Sequence, residues 1–168
     1  MDYLEKYQLA DNTIILFMSD NGGLSAEPAW RDGELHTQNA PLNSGKGSAY
    51  EGGIREPMIV KWPGVTAAGT ICEKPLIIED FYPTILEMAG IKQYKTVQKI
   101  DGVSFMPLLN HTGDPSEGRE FYWNFPNLWG NTGPGIGATA TIRKGDWKLI
   151  YYYESGRKEL FNIREDIG

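Results

Sequence analysis

The chain has 168 residues, a formal net charge of −6 and a calculated pI near 4.9. This acidic balance argues against a nucleic-acid partner, which would normally be matched by a basic surface and a high pI. A charged fraction of 23% with 12% aromatic residues is typical of a folded globular protein rather than a disordered one. The single cysteine, Cys72, excludes an internal disulfide.

The amino-terminal residues predict a short helix followed by a strand. Tyr3, Leu4 and Tyr7 fall on one helical face, and Asp11 with Asn12 breaks that pattern. No apolar stretch here has the length of a signal peptide core, and the run at 14–18 is too short to span a bilayer. We therefore expect a soluble chain without an export signal or membrane span, and its compartment stays open.

Two apolar runs, at 13–18 and 57–62, predict buried strands of one α/β layer. A helix should follow, capped by Asp80 and ended by Gly90. The stretch between the strands, 23–47, lacks periodicity and is rich in loop-forming residues. We assign these elements to a first domain, residues 1–110.

The carboxy-terminal third predicts a small antiparallel sheet. Strand-like runs at 121–125, 138–143, 147–153 and 159–163 are separated by glycine-containing turns. They form the predicted second subdomain, residues 119–168, after a polar boundary. Trp129 lies in a loop of the kind that shapes pockets, whereas alternate members of the tyrosine run 151–153 are expected in the core.

Asp20 and Asn21 directly follow the first apolar run and predict a site for a hard cation. Their carboxylate and carboxamide oxygens suit Ca²⁺, with Mg²⁺ as the alternative. Gly22 and Gly23 would let the backbone turn sharply beneath the ion. The competing interpretation is a polar turn after a strand, because these residues are also common in turns.

Lys46 lies between Gly45 and Gly47, so no neighbouring side chain obstructs an approaching anion. The sequence is not a nucleotide-binding P-loop, because Gly47 stands where Ser or Thr is required and Ala40 where the first glycine is required. Glu51 or Glu56 is expected to pair with Arg55 and support this loop.

These motifs, at 19–23, 45–57, 62–64, 101–109 and 142–150, resemble the second half of a calcium-dependent sulfatase of the formylglycine type, and the likeness covers nearly the whole chain. It implies an α/β fold: part of an alkaline-phosphatase-like mixed sheet with flanking helices, followed by the small antiparallel subdomain. It also implies Asp20 and Asn21 as metal ligands and Lys46 as a catalytic, sulfate-contacting residue. His36, in the loop after the metal pair, is a candidate for contacting substrate at the site mouth, and the alternative is an ordinary loop histidine.

The family's nucleophile motif, Cys or Ser followed by x-Pro-Ser/Ala-Arg, does not occur in this sequence. Formylglycine is therefore expected only in an upstream segment, and we predict a sulfatase fragment that is inactive alone. Its substrate would be a sulfate ester, such as a sulfated sugar. Asn21, where related phosphatases usually have His, favours Ca²⁺ or Mg²⁺ and a sulfate ester.

Two other interpretations stay open. The first is a non-catalytic binding or regulatory remnant of the fold, and the second is a phosphoester or phosphonate hydrolase of the same superfamily. The apolar strand at 14–18 needs neighbours on both sides, so we also expect self-association or a sheet that lacks some of its strands.

Overall fold

A computed structural model describes residues 1–25, 38–128 and 133–168. Its contacts divide the chain into two compact units, each made of two segments. The first unit comprises Met1–Phe17 and Ile59–Arg119, and the second comprises Met18–Met58 and Glu120–Gly168. The domain bounds expected from the sequence, 1–110 and 119–168, remain a prediction.

The elements before residue 110 are short. Helices α1 (Asp2–Lys6), α2 (Glu51–Ile54), α3 (Phe81–Met88) and α4 (Met106–Leu109) are joined by 3₁₀ turns at Ala10–Asn12 and Ile78–Asp80. Strands β1 (Ile15–Met18) and β2 (Met58–Lys61) pair as a two-stranded sheet. The predicted first helix and both predicted strands are therefore present. No helix in the described ranges is long and apolar enough to cross a membrane.

Burial of β1 differs from the prediction. The strand was expected to be covered on both faces, but the side chain of Phe17 is 68% exposed and Met18 is also exposed. On β2, Ile59 is 65% exposed. The physical reason is that each strand has one neighbour within the described residues, so too little protein covers their faces.

Asp80 is buried, but it does not cap α3 as predicted. Its carboxylate accepts hydrogen bonds from the backbone N–H of Ile77 (3.0 Å) and Val103 (2.9 Å), and none from the first turn of α3. It also pairs with Arg119 at 2.8 Å. The carboxylate thus ties three separate segments together within the first unit, which satisfies it more fully than one capping bond would.

The four-stranded sheet confirms the prediction of a small antiparallel sheet. Its strands are β3 (Glu120–Phe125), β4 (Thr139–Lys144), β5 (Trp147–Tyr152) and β6 (Lys158–Asn162), in the order β3-β4-β5-β6. Alternate residues of β5 are buried: Lys148, Ile150 and Tyr152. They define one inner face of the sheet, as the period of a strand requires. Tyr153 is exposed, as the predicted alternation of the tyrosines demands.

Candidate functional site

Asp20 and Asn21 lie directly after β1, where the sequence predicted the cation site. Asp20 is exposed and Asn21 is half-buried. The backbone is held locally, because the Ser19 hydroxyl donates to the Asn21 carbonyl at 2.8 Å. The Asn21 side chain donates through its amide nitrogen to the Gly22 carbonyl at 3.0 Å. That bond uses the nitrogen, so the carboxamide oxygen is the atom that a cation would take.

Gly22, the first glycine of this turn, is packed against the two glycines of α2. The Gly22 N–H donates to the Gly53 carbonyl at 3.1 Å. A Cβ on Gly22 would lie 1.8 Å from the Gly52 carbonyl oxygen, a distance no side chain can occupy. Glycine is therefore required here by the close approach of two backbones. The cation-site turn and α2 form one closely packed unit.

The Lys46 segment meets the same turn. The Lys46 N–H donates to the Gly23 carbonyl at 3.1 Å, and a Cβ on Gly45 would lie 2.3 Å from that same oxygen. The structure thus brings together two segments that are separate in the sequence. Two further residues considered from the sequence, His36 and Trp129, lie outside the described residues.

Asn39 joins these two segments, and the sequence analysis missed it. Its Oδ1 accepts the Gly23 N–H at 3.1 Å, while its Nδ2 donates to the Gly23 carbonyl at 3.0 Å. The same Nδ2 lies 3.2 Å from Ser25 Oγ and 2.9 Å from the Ser44 carbonyl. Asparagine often bonds to loop backbone. Nothing in a single sequence separates Asn39 from the other loop asparagines.

Glu56 adds negative charge near the predicted cation site. Its Oε1 is buried and accepts no hydrogen bond in the part of the chain that the structure describes. Burial, reinforced by the negative charge of Asp20, raises the pKa of Glu56. A bound cation would reduce the repulsion between the Asp20 and Glu56 carboxylates, so the residues present are compatible with Ca²⁺.

The described residues supply only part of a calcium shell. Ca²⁺ takes roughly six to eight oxygen ligands. Within residues 1–25, 38–128 and 133–168, no group of three or more His, Cys, Asp or Glu side chains is placed to hold a metal ion. Asp20 and Asn21 would have to be joined by further ligands.

Glu51 has a closer partner than the one predicted. Arg55 does lie near it, with Nη1 3.9 Å from Glu51 Oε2. The shorter contact is from Lys148 Nζ to Glu51 Oε1, at 2.9 Å, and both side chains are at least 95% buried. Burial lowers the pKa of Lys148, and the adjacent Glu51 carboxylate opposes that shift. Lysine is rarely fully buried, so a single sequence gave no reason to expect this pair.

Comparison with known proteins identifies the family. The sequence model of the Sulfatase family matches residues 1–91. This chain belongs to the sulfatase family. A sulfatase from Formosa agariphila is 34% identical over 165 residues, which cover 95% of this sulfatase-family chain and 28% of that protein. The steryl-sulfatase of Rattus norvegicus is 38% identical over 127 residues, covering 75% of the chain and 22% of that protein.

A solved structure agrees with the described fold. BT4656, in complex with its substrate D-glucosamine-2-N,6-O-disulfate, matches with a TM-score of 0.71 and 27% sequence identity. The match covers 98% of this sulfatase-family chain and 30% of BT4656. The predicted sulfatase resemblance and α/β fold class are confirmed. The chain spans less than a third of the length of these three proteins.

Proposed function

We propose that this sulfatase-family chain contributes the cation-binding and sulfate-binding part of the active site of a sulfuric ester hydrolase. One observation carries the proposal. The 3.1 Å hydrogen bond from the Lys46 N–H to the Gly23 carbonyl joins the lysine segment to the turn that bears Asp20 and Asn21. The lysine and the proposed cation would place two positive charges next to each other, and these would attract an anionic ester.

In this proposal Asp20 and Asn21 hold a calcium ion through their side-chain oxygens, with magnesium as the alternative. When bound, the ion supplies fixed positive charge that attracts sulfate oxygens. Lys46 binds the sulfate group and stabilises the negative charge that develops as the ester bond breaks. Glycines on both sides of Lys46 leave room for the anion.

The chain is proposed to be inactive by itself. The nucleophile motif of the formylglycine sulfatases does not occur among its residues, so formylglycine would have to come from another part of the parent protein. A sulfated sugar is the proposed substrate class. The sulfated glucosamine bound to BT4656 supports this choice, since that protein matches 98% of the chain.

The test is an NMR titration of the ¹⁵N-labelled chain with 4-nitrophenyl sulfate in the presence of CaCl₂. Because we expect no hydrolysis, the ester itself serves as the probe. Binding should be weak, with a Kd of roughly 1 mM or above, and should shift the amides of residues 20–23 and 45–47. Lys46→Ala should abolish the shifts, whereas Lys99→Ala, at an exposed lysine, should not.

Each other outcome has a defined meaning. An absence of shifts would contradict the proposal and favour a non-catalytic remnant of the fold. Tighter binding of phenyl phosphate or phenylphosphonate than of the sulfate ester would favour the phosphoester or phosphonate hydrolase. Release of 4-nitrophenolate by the chain alone would show that the proposed inactivity is wrong.

A further inference from the structure

The segment that follows Lys46 packs against the second unit's four-stranded sheet and the turn before β4. Ser48 is buried, and its hydroxyl donates to the Pro134 carbonyl at 2.9 Å. The Ala49 N–H donates to the Gly135 carbonyl at 2.9 Å. A Cβ on Gly135 would lie 2.3 Å from Ser48 Oγ, so the backbone at Gly135 lies directly against the Ser48 side chain. The attachment begins two residues after Lys46.

Tyr50 extends this attachment to the inner face of the sheet. Its hydroxyl donates to Glu159 Oε2 at 2.9 Å, and the Tyr152 hydroxyl donates to the same oxygen at 2.7 Å. The Tyr50 ring also packs edge-on against Phe161, with 5.2 Å between centroids. The Tyr50 side chain is therefore held by a polar and an aromatic contact at the same time, which restricts its rotation.

The pair formed by Glu51 and Lys148 completes the attachment. Lys148 lies on β5, an interior strand, opposite Arg143 on β4 and Phe161 on β6. Removing two charges from water is costly, and well-packed apolar residues often stabilise a fold equally well. Stability alone therefore gives a weak reason for the pair. The pair also joins α2 to the sheet through one close contact, from Lys148 Nζ to Glu51 Oε1 at 2.9 Å.

Lys46 is thus held from both sides. Before it, the Ser44 carbonyl accepts a bond from Asn39, and Gly45 lies against Gly23. After it, four consecutive residues, 48–51, contact the turn before β4 or the sheet, and the last of them is Glu51. A loop fixed at both ends by buried contacts presents its side chain from a defined place.

We propose that Glu51, held by Lys148, is a positioning residue for Lys46. The inner face of the four-stranded sheet, through this buried pair, sets the place from which Lys46 meets a sulfate group. The inference rests on the proposed sulfate-binding function of Lys46, and it gives the carboxy-terminal sheet a role in the site through the contacts of its inner face.

The test compares a buried pair with an exposed one. Glu51→Gln combined with Lys148→Met removes both buried charges, so neither is left alone. Glu120→Gln combined with Lys144→Met makes the same changes in an exposed pair with an Nζ–Oε1 distance of 2.7 Å. Affinity for 4-nitrophenyl sulfate, exchange of the Lys46 amide hydrogen and the thermal midpoint are measured for both double variants by NMR and calorimetry.

The expected result distinguishes an effect on the placement of Lys46 from an effect on the stability of the fold. The Glu51/Lys148 double variant should keep a thermal midpoint near that of the wild type. Its Lys46 amide should exchange about tenfold faster, and its affinity for the ester should fall about tenfold, within the range found for coupled contacting residues. The single variant Lys148→Met should lose affinity and thermal stability together, because it leaves the buried Glu51 carboxylate without its closest partner and with Arg55 at 3.9 Å. The Glu120/Lys144 variant should match the wild type in all three measurements.

Two results would overturn the inference. One is a folded Glu51/Lys148 double variant that binds the ester as tightly as the wild type, since the pair would then be merely structural. The other is unchanged exchange of the Lys46 amide in that variant. A wild-type chain that does not bind the ester would instead refute the proposed function, and amide exchange would still show whether the pair holds the loop.

Discussion

Asn39 holds two site-bearing segments through one amide group, which makes it sensitive to a change of a single atom. In Asn39→Asp the oxygen that accepts the Gly23 N–H is kept, but the nitrogen that faces Gly23 O and Ser44 O becomes a second oxygen. Lost bonds and oxygen–oxygen repulsion should lower the free energy of unfolding by about 1–3 kcal/mol. Urea denaturation at neutral pH measures this loss.

The matched control is Asn110→Asp. Asn110 uses its side-chain oxygen alone in the bonds from Thr112, at 3.2 Å from the backbone nitrogen and 2.6 Å from the hydroxyl. An aspartate can accept both, so stability should change little. Equal losses in the two variants would attribute the effect to added negative charge and contradict the role assigned to Asn39.

Gly22 is predicted to tolerate no side chain. In Gly22→Ala the new Cβ would fall 1.8 Å from the Gly52 carbonyl oxygen, so the two segments must separate. We expect a loss of about 1–3 kcal/mol or more, as for other overpacked sites. Thermal unfolding of the variant tests this. Gly113→Ala is the control, because its Cβ would meet its nearest neighbour, Pro107, at 3.7 Å; similar losses in both would be against the prediction.

The chain alone should bind calcium weakly. Asp20 and Asn21 offer two side chains where the ion takes several oxygens, so we expect a Kd of roughly 10⁻⁴ M or weaker. Isothermal calorimetry with CaCl₂ gives the affinity, and Asp20→Asn should abolish the remaining heat. A micromolar or tighter Kd would mean that the chain supplies a far more complete ligand set than proposed.

Among the elements, those that repeat a local pattern were the predictable ones. The strands β3 to β6 follow from alternation and glycine turns, and each of their bounds lies within one residue of the prediction. Helix α2 could not be predicted, because its residues include Gly52 and Gly53, which are poor helix formers. It forms where the backbone contacts of Gly22 and the Glu51 pair hold it, and these contacts depend on residues distant in sequence.

In the candidate site, too, residues in local motifs were predictable and residues that act through distant contacts were not. The sequence indicated Asp20, Asn21 and Lys46 because these types stand in recognisable motifs, and their roles remain predictions. Asn39 and Lys148 were missed because each acts through a contact that only the folded chain reveals. In β5 apolar and aromatic residues occupy both sets of alternate positions, so the sequence does not show which face of the strand is buried. For that reason it does not show whether Lys148 is buried or exposed.

The tyrosine contacts of the inner face predict a loss of stability in alkali. Burial, with the bond to Glu159, raises the pKa of both Tyr50 and Tyr152 above the ordinary value of 10.0. Their stabilising effect is therefore present in full below pH 10 and is lost as the pH rises through the folded-state pKa. In Tyr152→Phe the fall in unfolding free energy between pH 8 and pH 11 should be smaller than in the wild type.

Urea denaturation at the two pH values measures that difference. Tyr3→Phe changes a tyrosine that is 76% exposed and should leave the fall unchanged. Other groups, lysines included, also titrate in this range, so the comparison is between variants at the same pH. An unchanged fall in Tyr152→Phe would contradict the prediction.

For the whole molecule, exposed apolar strands predict self-association. Phe17 on β1 and Ile59 on β2 expose most of their side chains, and the sheet that they form has two strands. Unpaired strand edges with apolar faces favour association with another copy. Sedimentation velocity should show concentration-dependent oligomers, which Phe17→Lys should reduce. Val97→Lys adds the same charge at a fully exposed residue outside any strand and should have little effect; a strictly monomeric wild type would refute the prediction.

The distance along the chain between Glu51 and Lys148 has a consequence for biosynthesis. The two residues are 97 positions apart. At a ribosomal rate of about 5–20 residues per second, about 5–20 seconds pass between their emergence. The residues proposed to bind cation and sulfate are thus made before β5. If the Glu51/Lys148 pair positions Lys46 as proposed, these residues reach their final arrangement only after β5 has been synthesised and paired. A nascent chain would carry the ligands of the site well before it could use them.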